Sequence, residues 1–223
     1  MISCIILAAG SGTRMGADVN KVFLDLDGYP VLYHSIKAFE DNKDIDEIVV
    51  VLKEDEINKF NKEFKKYKFK KITQVIEGGE ERIYSVLKGF VKVDKECAIL
   101  LIHDGARPFV SQNIIDEAIN FAKKHGAAAP GIPVTDTIKK IDDKGFVSEE
   151  LERSELVAIQ TPQAFVYEEF KEAMKSYRYS MGVITDDTSF VFKHGKPVFI
   201  FRGEEKNIKI TNPEDMKYLM KTD

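Results

Sequence analysis

The stretch CIILAAGSGTRMGADVNK, residues 4–21, joins a short apolar run to a glycine-rich loop that carries two cations. The run from 2 to 7 has the length and continuity of a strand buried on both faces of a sheet. Gly10 and Gly12 let backbone amides approach a ligand closely. Arg14 adds a planar guanidinium that can donate two parallel hydrogen bonds, and Lys21 adds a compact ammonium charge. Both groups suit a chain of phosphates. The same spacing also fits a tight turn with two solvated cations, so the loop alone leaves both interpretations open.

The loop matches neither common phosphate-binding template. A dinucleotide fingerprint would need glycine at position 15, where Met15 stands, and no Gly-Lys-Ser/Thr run follows. The second apolar run ends VVVLKED, so Lys53 precedes any carboxylate that could bind a ribose. These departures count against an NAD(P) oxidoreductase.

Apolar runs alternate with amphipathic stretches along the first two thirds of the chain. The runs predict strands over residues 2–7, 47–52, 72–76, 98–102 and 127–132. The stretches between them predict helices over 30–42, 54–67, 82–90 and 111–125. This alternation predicts an α/β fold with a Rossmann-like, mostly parallel sheet flanked by helices. Ligands of such folds bind beyond the carboxyl ends of the strands.

The pattern changes after Val134. TIKKIDDKGFVSEEL predicts two short strands around a turn at 142–145, and ELVAIQ predicts a further strand. Helices are then expected over 167–176 and 187–193, followed by a strand at PVFIF and a C-terminal helix at TNPEDMKYLMK. We expect one domain, residues 1–223, with a protruding β-arm at about 135–157. A lone hairpin is marginal in water, so the arm is expected to pack on something such as another subunit.

Composition limits the functional classes. The net charge of −4 argues against general nucleic-acid binding, which needs a basic footprint. No apolar stretch approaches a membrane span, and the N-terminus does not resemble a signal peptide. Cys4 and Cys97 both lie in apolar runs and are expected to be reduced core residues. We therefore expect a cytoplasmic protein without nucleic-acid or membrane partners.

Charged residues and glycines recur where the predicted strands end. Gly78 and Gly79 follow the third strand, and Asp104 and Arg107 follow the fourth. Asp104 could bind a metal or a ribose hydroxyl, or could simply form a turn. Lys209 lies in an apolar stretch, NIKIT, where an unpaired ammonium is costly, so a substrate phosphate or a protein carboxylate should face it. His103 is expected to be a packed strand-end histidine.

Seven segments, in order, carry a family resemblance. They are LAAGSGTRMG with NKVFLDLDGYPVL, GGEERIYSV, HDGARPFV, PVTDTIKK, ERSELVAIQTPQAF, TDDTSFV and NIKITNPEDM. Together they resemble the 2-C-methyl-D-erythritol 4-phosphate cytidylyltransferases, a family of nucleotidyltransferases in the non-mevalonate isoprenoid pathway. The resemblance extends over nearly the whole chain. LAAGSGTRM marks only the wider superfamily, and the segments around Thr137 and Arg153 narrow it most.

The resemblance implies an activity and a set of roles. The 4-phosphate of methylerythritol phosphate would attack the α-phosphorus of CTP, with Mg²⁺ present, and pyrophosphate would leave. Arg14 and Lys21 match transition-state stabilisers, and Arg153 and Lys209 match residues that hold the substrate phosphate. Further substrate contacts would come from Arg107, Thr137 and Thr161. The nucleotide-binding positions would be Ala8, Ala9, Gly10, Gly78, Gly79, Ser85, Asp104 and Gly105, with Asp104 also the candidate metal ligand. The resemblance also implies a homodimer in which Thr137 and Arg153 of each arm reach the neighbouring acceptor site.

Two other functions stay open at this point. Ribitol 5-phosphate cytidylyltransferases share the nucleotide half and differ in the acceptor, and the placing of Thr137 and Arg153 favours methylerythritol phosphate over ribitol phosphate. A catalytically inactive nucleotide-binding regulator would not need the four cations at 14, 21, 153 and 209.

Overall fold

The computed structural model describes residues 1–10, 20–176, 184–211 and 215. Its strands, in chain order, are β1 Ile2–Leu7, β2 Asp25–Leu26, β3 Tyr29–Pro30, β4 Glu47–Leu52, β5 Ile72–Glu77, β6 Ile99–Asp104, β7 Ala127–Pro133, β8 Lys139–Ile141, β9 Val147–Glu150, β10 Val157–Ile159, β11 Gln163–Val166 and β12 Phe199–Arg202. Its α-helices are α1 Val31–Asp41, α2 Glu54–Phe64, α3 Arg82–Phe90, α4 Gln112–His125, α5 Tyr167–Ser176 and α6 Thr188–Lys193. Within these residues every strand and helix predicted from the sequence is present, with shifts of a few residues at some ends.

Eight strands form one sheet in the order β10-β7-β11-β6-β1-β4-β5, with β12 paired to β7. β1 is parallel to β4 and β6, β4 is parallel to β5, and β12 is parallel to β7. β11 runs antiparallel between β6 and β7, and β10 runs antiparallel to β7. The predicted α/β fold with a mostly parallel sheet is therefore confirmed.

Alternate residues of the central strands feed two cores, one on each face of the sheet. Cys4 and Ile6 of β1 pack with residues of α1, α2 and α4, whereas Ile5 packs with residues of α3, α5 and α6. The six residues of β4 and of β6 are all buried. This burial on both faces is the reason that these strands appear in the sequence as continuous apolar runs. The helices lie on the two faces of the sheet. The carboxyl ends of β1, β4, β5 and β6 therefore lie together along one edge.

Two details differ from the sequence expectations. β11 was not predicted, because a four-residue strand gives too short a signal to separate from the helix that follows it. α2 ends at Phe64 and continues as a 3₁₀ turn over Lys65–Tyr67, where Lys68 adopts a left-handed conformation. Most of the expected C-terminal helix lies outside the described residues.

The predicted arm is an exposed antiparallel hairpin of β8 and β9. Gly145, at φ +88°, makes its turn, and Lys140 pairs with Glu149 at 2.7 Å. Its apolar side chains are open to solvent in the single chain, where Ile141, Phe146 and Val147 are 60%, 70% and 57% exposed. The hairpin therefore has no apolar cover of its own.

Two further expectations concern the cysteines and membranes. Cys4 and Cys97 are buried free thiols, as predicted. Among the described residues no helix has the length and apolar character needed to cross a bilayer.

Candidate active site

A cleft of about 580 Å³ opens at the carboxyl edge of the sheet, where β1, β5 and β6 end. Nine of the residues singled out from the sequence line it: Ala8, Ala9, Gly10, Lys21, Gly78, Gly79, Ser85, Asp104 and Lys209. Further lining comes from Asn20, Lys53, Glu54, Glu77, Glu80, Glu81 and Arg82, among others. Three loops that are distant in the sequence thus meet at one site.

The loop after β5 approaches the loop after β1 too closely for a side chain. A Cβ at Gly78 would lie 2.5 Å from the Cβ of Ala9 and 2.7 Å from Oγ of Ser85. The Gly79 amide donates to that hydroxyl at 3.0 Å. Gly10 has open space where its Cβ would stand, and its φ is not positive. Glycine here leaves the backbone uncovered and is not required by an unusual conformation. The wall is therefore made of backbone and small side chains.

Asp104, at the end of β6, lies among three cations. Lys209 Nζ is 3.0 Å from Oδ2, and Arg82 and Arg107 each have a guanidinium nitrogen 3.6 Å from the carboxylate. Burial alone would raise the pKa of Asp104, but the positive charges of Lys209, Arg82 and Arg107 outweigh it and hold the pKa well below its ordinary range. The carboxylate is therefore ionised at neutral pH. It is the protein carboxylate that faces Lys209, one of the two partners expected for an ammonium group in that apolar stretch.

Arg82 is a functional candidate that the sequence did not reveal. It lines the cleft and makes a bidentate pair with Asp187, with Nη1–Oδ1 and Nη2–Oδ2 distances of 2.6 Å. Asp187 is fully buried; burial raises the pKa of its carboxyl, and Arg82 opposes that rise. One feature of the sequence could have indicated Arg82. It is the first residue of α3, where the helix dipole disfavours a cation, so a cation at this position suggests a partner or a role elsewhere.

Thr161 and His103 form a buried support behind Asp104. The Asp104 amide donates to Thr161 Oγ1 at 3.0 Å, and that hydroxyl is 3.0 Å from His103 Nδ1. His103 Nε2 lies 3.1 Å from the Arg107 carbonyl, which can only accept, so Nε2 carries the proton and Nδ1 accepts from Thr161. Burial lowers the pKa of His103 to about 4. The ring is thus neutral, as expected for a packed histidine.

Arg107 is also occupied by contacts with other residues of the protein. It is 9% exposed and donates through Nη1 to the Asn207 carbonyl at 2.8 Å. Asn207 in turn donates to the Thr161 carbonyl at 2.9 Å. Gly105 closes the same corner, since a Cβ there would be 3.1 Å from the Leu7 carbonyl oxygen. Arg107, Thr161 and Gly105 lie outside the described lining of the cleft, so their contacts with substrate stay predictions.

The remaining candidates are placed as follows. Lys21 opens a 3₁₀ turn, Lys21–Phe23, whose Val22 is buried in the core. Arg14 lies outside the described residues. Thr137 and Arg153 are exposed on and beside the arm, where Arg153 Nη1 donates to the Thr135 carbonyl at 3.1 Å. In a single chain the structure therefore does not bring Thr137 and Arg153 to the cleft.

Asp104 is the residue to test for Mg²⁺. The described residues contain no group of three His, Cys, Asp or Glu side chains arranged to hold a metal. Mg²⁺ commonly uses one or two carboxylates together with substrate phosphates, and one ionised carboxylate on the cleft wall fits that mode. The residues present therefore suit a metal that arrives with a phosphate ligand.

The cleft offers positive charge and backbone donors for an anion. Its described lining contains no histidine or cysteine, and its Thr211 hydroxyl donates to the Asp215 carboxylate at 2.9 Å. Transfers at phosphorus need mainly positioning and charge stabilisation, which these residues supply.

Comparisons with known proteins identify the family of the chain. Residues 2–219 match the family model described as IspD, 2-C-methyl-D-erythritol 4-phosphate cytidylyltransferase. Proteins of that name from Clostridium novyi and Clostridium beijerinckii are 46% and 47% identical, covering 95% and 97% of this chain and 92% and 95% of their own. The crystal structure of 4-diphosphocytidyl-2C-methyl-D-erythritol synthase from Anaerococcus prevotii superposes with a TM-score of 0.85 at 33% identity, covering 98% of this chain and 93% of that one. This chain belongs to the IspD family of 2-C-methyl-D-erythritol 4-phosphate cytidylyltransferases.

Proposed function

We propose that this protein transfers CMP from CTP to 2-C-methyl-D-erythritol 4-phosphate, giving the cytidine diphosphate product and pyrophosphate. The observation that carries the proposal is the cleft itself. Lys21, Lys209 and Arg82 meet there, next to a bare backbone wall at the carboxyl edge of the sheet. Family membership over residues 2–219 identifies the transferred group and the acceptor.

The chemistry needs no protein nucleophile. A phosphate oxygen of the acceptor forms a bond to the α-phosphorus of CTP, and the bond from that phosphorus to the bridging oxygen breaks. Pyrophosphate leaves with the electron pair, and no proton has to move because the attacking oxygen is already an anion. The protein therefore contributes orientation and preorganised positive charge.

The nucleotide half of the site would be held by one chain. The wall formed by Ala8, Ala9, Gly78 and Ser85 lets backbone groups reach the flat ring of a base. Lys21, with Arg14 from the glycine-rich loop, would stabilise charge on the phosphates. Asp104 would hold Mg²⁺ together with the nucleotide's phosphates, and the metal when bound would neutralise charge on those oxygens.

The acceptor half would be shared between two chains. Thr137 and Arg153 lie on an arm whose apolar side chains are open in the single chain. Pairing of two arms about a two-fold axis would cover Ile141, Phe146 and Val147. The same pairing would carry Arg153 of each chain toward the cleft of the other, where it and Lys209 would hold the acceptor phosphate. We also place the protein in the cytoplasm, in keeping with its free thiols.

Pyrophosphate release tests the activity. The assay uses CTP and Mg²⁺ with methylerythritol phosphate, with ribitol 5-phosphate, or with no acceptor. We expect release with methylerythritol phosphate, and the names of the relatives favour this acceptor over ribitol phosphate. Faster release with ribitol 5-phosphate would replace the acceptor, and no release with either would overturn the proposal.

A further inference from the structure

We propose that Asn20, tethered by Glu56 of α2, is a positioning residue that fixes Lys21 for catalysis. The inference rests on the proposed function and adds two residues that do not themselves act on the substrate. Three elements meet at Asn20: the end of β1, the 3₁₀ turn and the first turn of α2.

The Asn20 side chain holds these three elements together. Its Nδ2 donates to the Ala8 carbonyl at 3.0 Å and to Oε2 of Glu56 at 3.0 Å. Its Oδ1 accepts from the Val22 amide at 3.4 Å, which caps the turn that begins at Lys21. Both amide hydrogens and one acceptor site are used inside the protein, and Asn20 is only 7% exposed. The residue is therefore committed to structure at the base of Lys21 and has no donor left for a ligand.

The backbone of Lys21 is fixed on both sides by this arrangement. Ahead of it stands the anchored side chain of Asn20. Behind it Val22 is buried, and the amides of Phe23 and Leu24 donate to the carbonyls of Asn20 and Lys21 at 2.9 and 3.1 Å. A lysine side chain is long and flexible, so a fixed backbone narrows the region that its charge can reach.

Glu56 makes the tether strong without entering the cleft. It lies in the first turn of α2, where a negative charge is favoured by the helix dipole. Its Oε2 accepts from Asn20 Nδ2 at 3.0 Å, a contact that requires an acceptor oxygen on the side chain. Lys53 and Glu54 of the same region line the cleft, but Glu56 is not among its lining residues. An effect of Glu56 on turnover would therefore have to pass through Asn20.

The test compares Glu56→Ala with Glu56→Gln and Asp55→Asn. Glutamine keeps an oxygen that can accept from Asn20, whereas alanine removes it. Asp55→Asn changes an exposed charge in the same turn of the helix and serves as the matched control. We expect Glu56→Ala to lower kcat by about tenfold or more with KM for CTP changed less than about threefold, because small displacements of a catalytic group cost this much. Glu56→Gln and Asp55→Asn should stay within about twofold of wild type, the size of a weak surface charge effect.

A second background separates positioning from a general structural role. In a Lys21→Ala protein, Glu56→Ala and Asn20→Ala should cause little further loss, since the group they position is gone. Multiplicative losses in that background, or equal losses for Glu56→Ala and Glu56→Gln, would overturn the inference. So would wild-type kcat in Glu56→Ala or in Asn20→Ala. Wild-type enzyme is assayed alongside, and its inactivity would instead count against the proposed function.

Discussion

Asp104 shows how a single residue in this protein is set by what surrounds it. Its carboxylate is buried, yet Lys209, Arg82 and Arg107 keep it ionised. The Thr161 hydroxyl accepts a hydrogen bond from its amide and donates one to His103 Nδ1. The residue thus stands at the cleft in one protonation state and one backbone position, ready for a metal or a ribose.

Lys21 carries the sharpest prediction at this scale. Replacing it with alanine should lower kcat by about 10²–10³, because it removes one preorganised donor from the transition state. KM for CTP should change much less. The measurement is steady-state pyrophosphate release over a range of CTP concentrations. The exposed Lys62 on α2 provides a control, since Lys62→Ala should leave kcat unchanged. A Lys21→Ala protein with nearly wild-type turnover would contradict the assignment.

His103 predicts a pH dependence of stability. Burial lowers its pKa in the folded state from about 6.5 to about 4, so between these values the unfolded chain binds a proton that the native protein does not. Stability from this residue is therefore complete above pH 6.5 and is lost as the pH falls toward 4. The loss should approach about 3 kcal/mol in the free energy of unfolding.

Urea unfolding at several pH values, compared with a His103→Asn protein, isolates this contribution from that of the carboxylates. The wild-type protein should lose more stability than the variant between pH 7 and 4. Parallel curves for the two proteins would show that His103 is not neutral and buried in the native state.

Among the elements, α3 and α6 are joined by an ion pair between the half-buried Arg82 and the buried Asp187. Arg82 begins α3, Asp187 precedes α6, and the two make a bidentate contact beside the cleft. Arg82→Ala should lower the free energy of unfolding by about 3–5 kcal/mol, because it leaves a fully buried carboxylate without its partner. The double variant Arg82→Ala with Asp187→Ala should lose less than the sum of the single changes.

Thermal and urea unfolding of the four proteins complete this cycle. Additive losses would mean that the pair does not couple the two helices. Lys171→Ala is a suitable control, because its pair with Glu168 is on the exposed face of α5 and should contribute little to stability.

The elements also show what a sequence pattern can and cannot predict. The buried strands and amphipathic helices were predictable because burial imposes a period that is written in consecutive residues. Five of the nine cleft residues, Gly10, Lys21, Gly78, Gly79 and Asp104, were predictable because parallel strands bring their carboxyl ends together. Lys209 was singled out by its apolar surroundings, and Ala8, Ala9 and Ser85 were implied only by the family resemblance. The pairs Arg82–Asp187 and Asn20–Glu56 join residues 105 and 36 positions apart, and no local period records such a contact. β11 was not predicted because it is short, and four residues are too few to show a period.

At the scale of the whole molecule, the single chain keeps the cleft residues and the arm residues apart. The cleft gathers the nucleotide residues, while Thr137 and Arg153 stand on an exposed arm with uncovered apolar side chains. A two-fold dimer of arms would account for both facts at once. The central claim is therefore that each acceptor site is completed by the partner's arm.

Mixing two inactive variants tests that claim most directly. Arg153→Ala keeps an intact cleft, and Lys21→Ala keeps an intact arm. In a heterodimer of the two, one site is whole and the other carries both lesions, so activity should return to about half of the wild-type level per heterodimer. Heterodimers are counted by native mass spectrometry after subunit exchange, and pyrophosphate release is measured on the same sample. Heterodimers that form and remain inactive would show that Arg153 acts within its own chain, and a protein that stays monomeric at assay concentration would contradict the shared site outright.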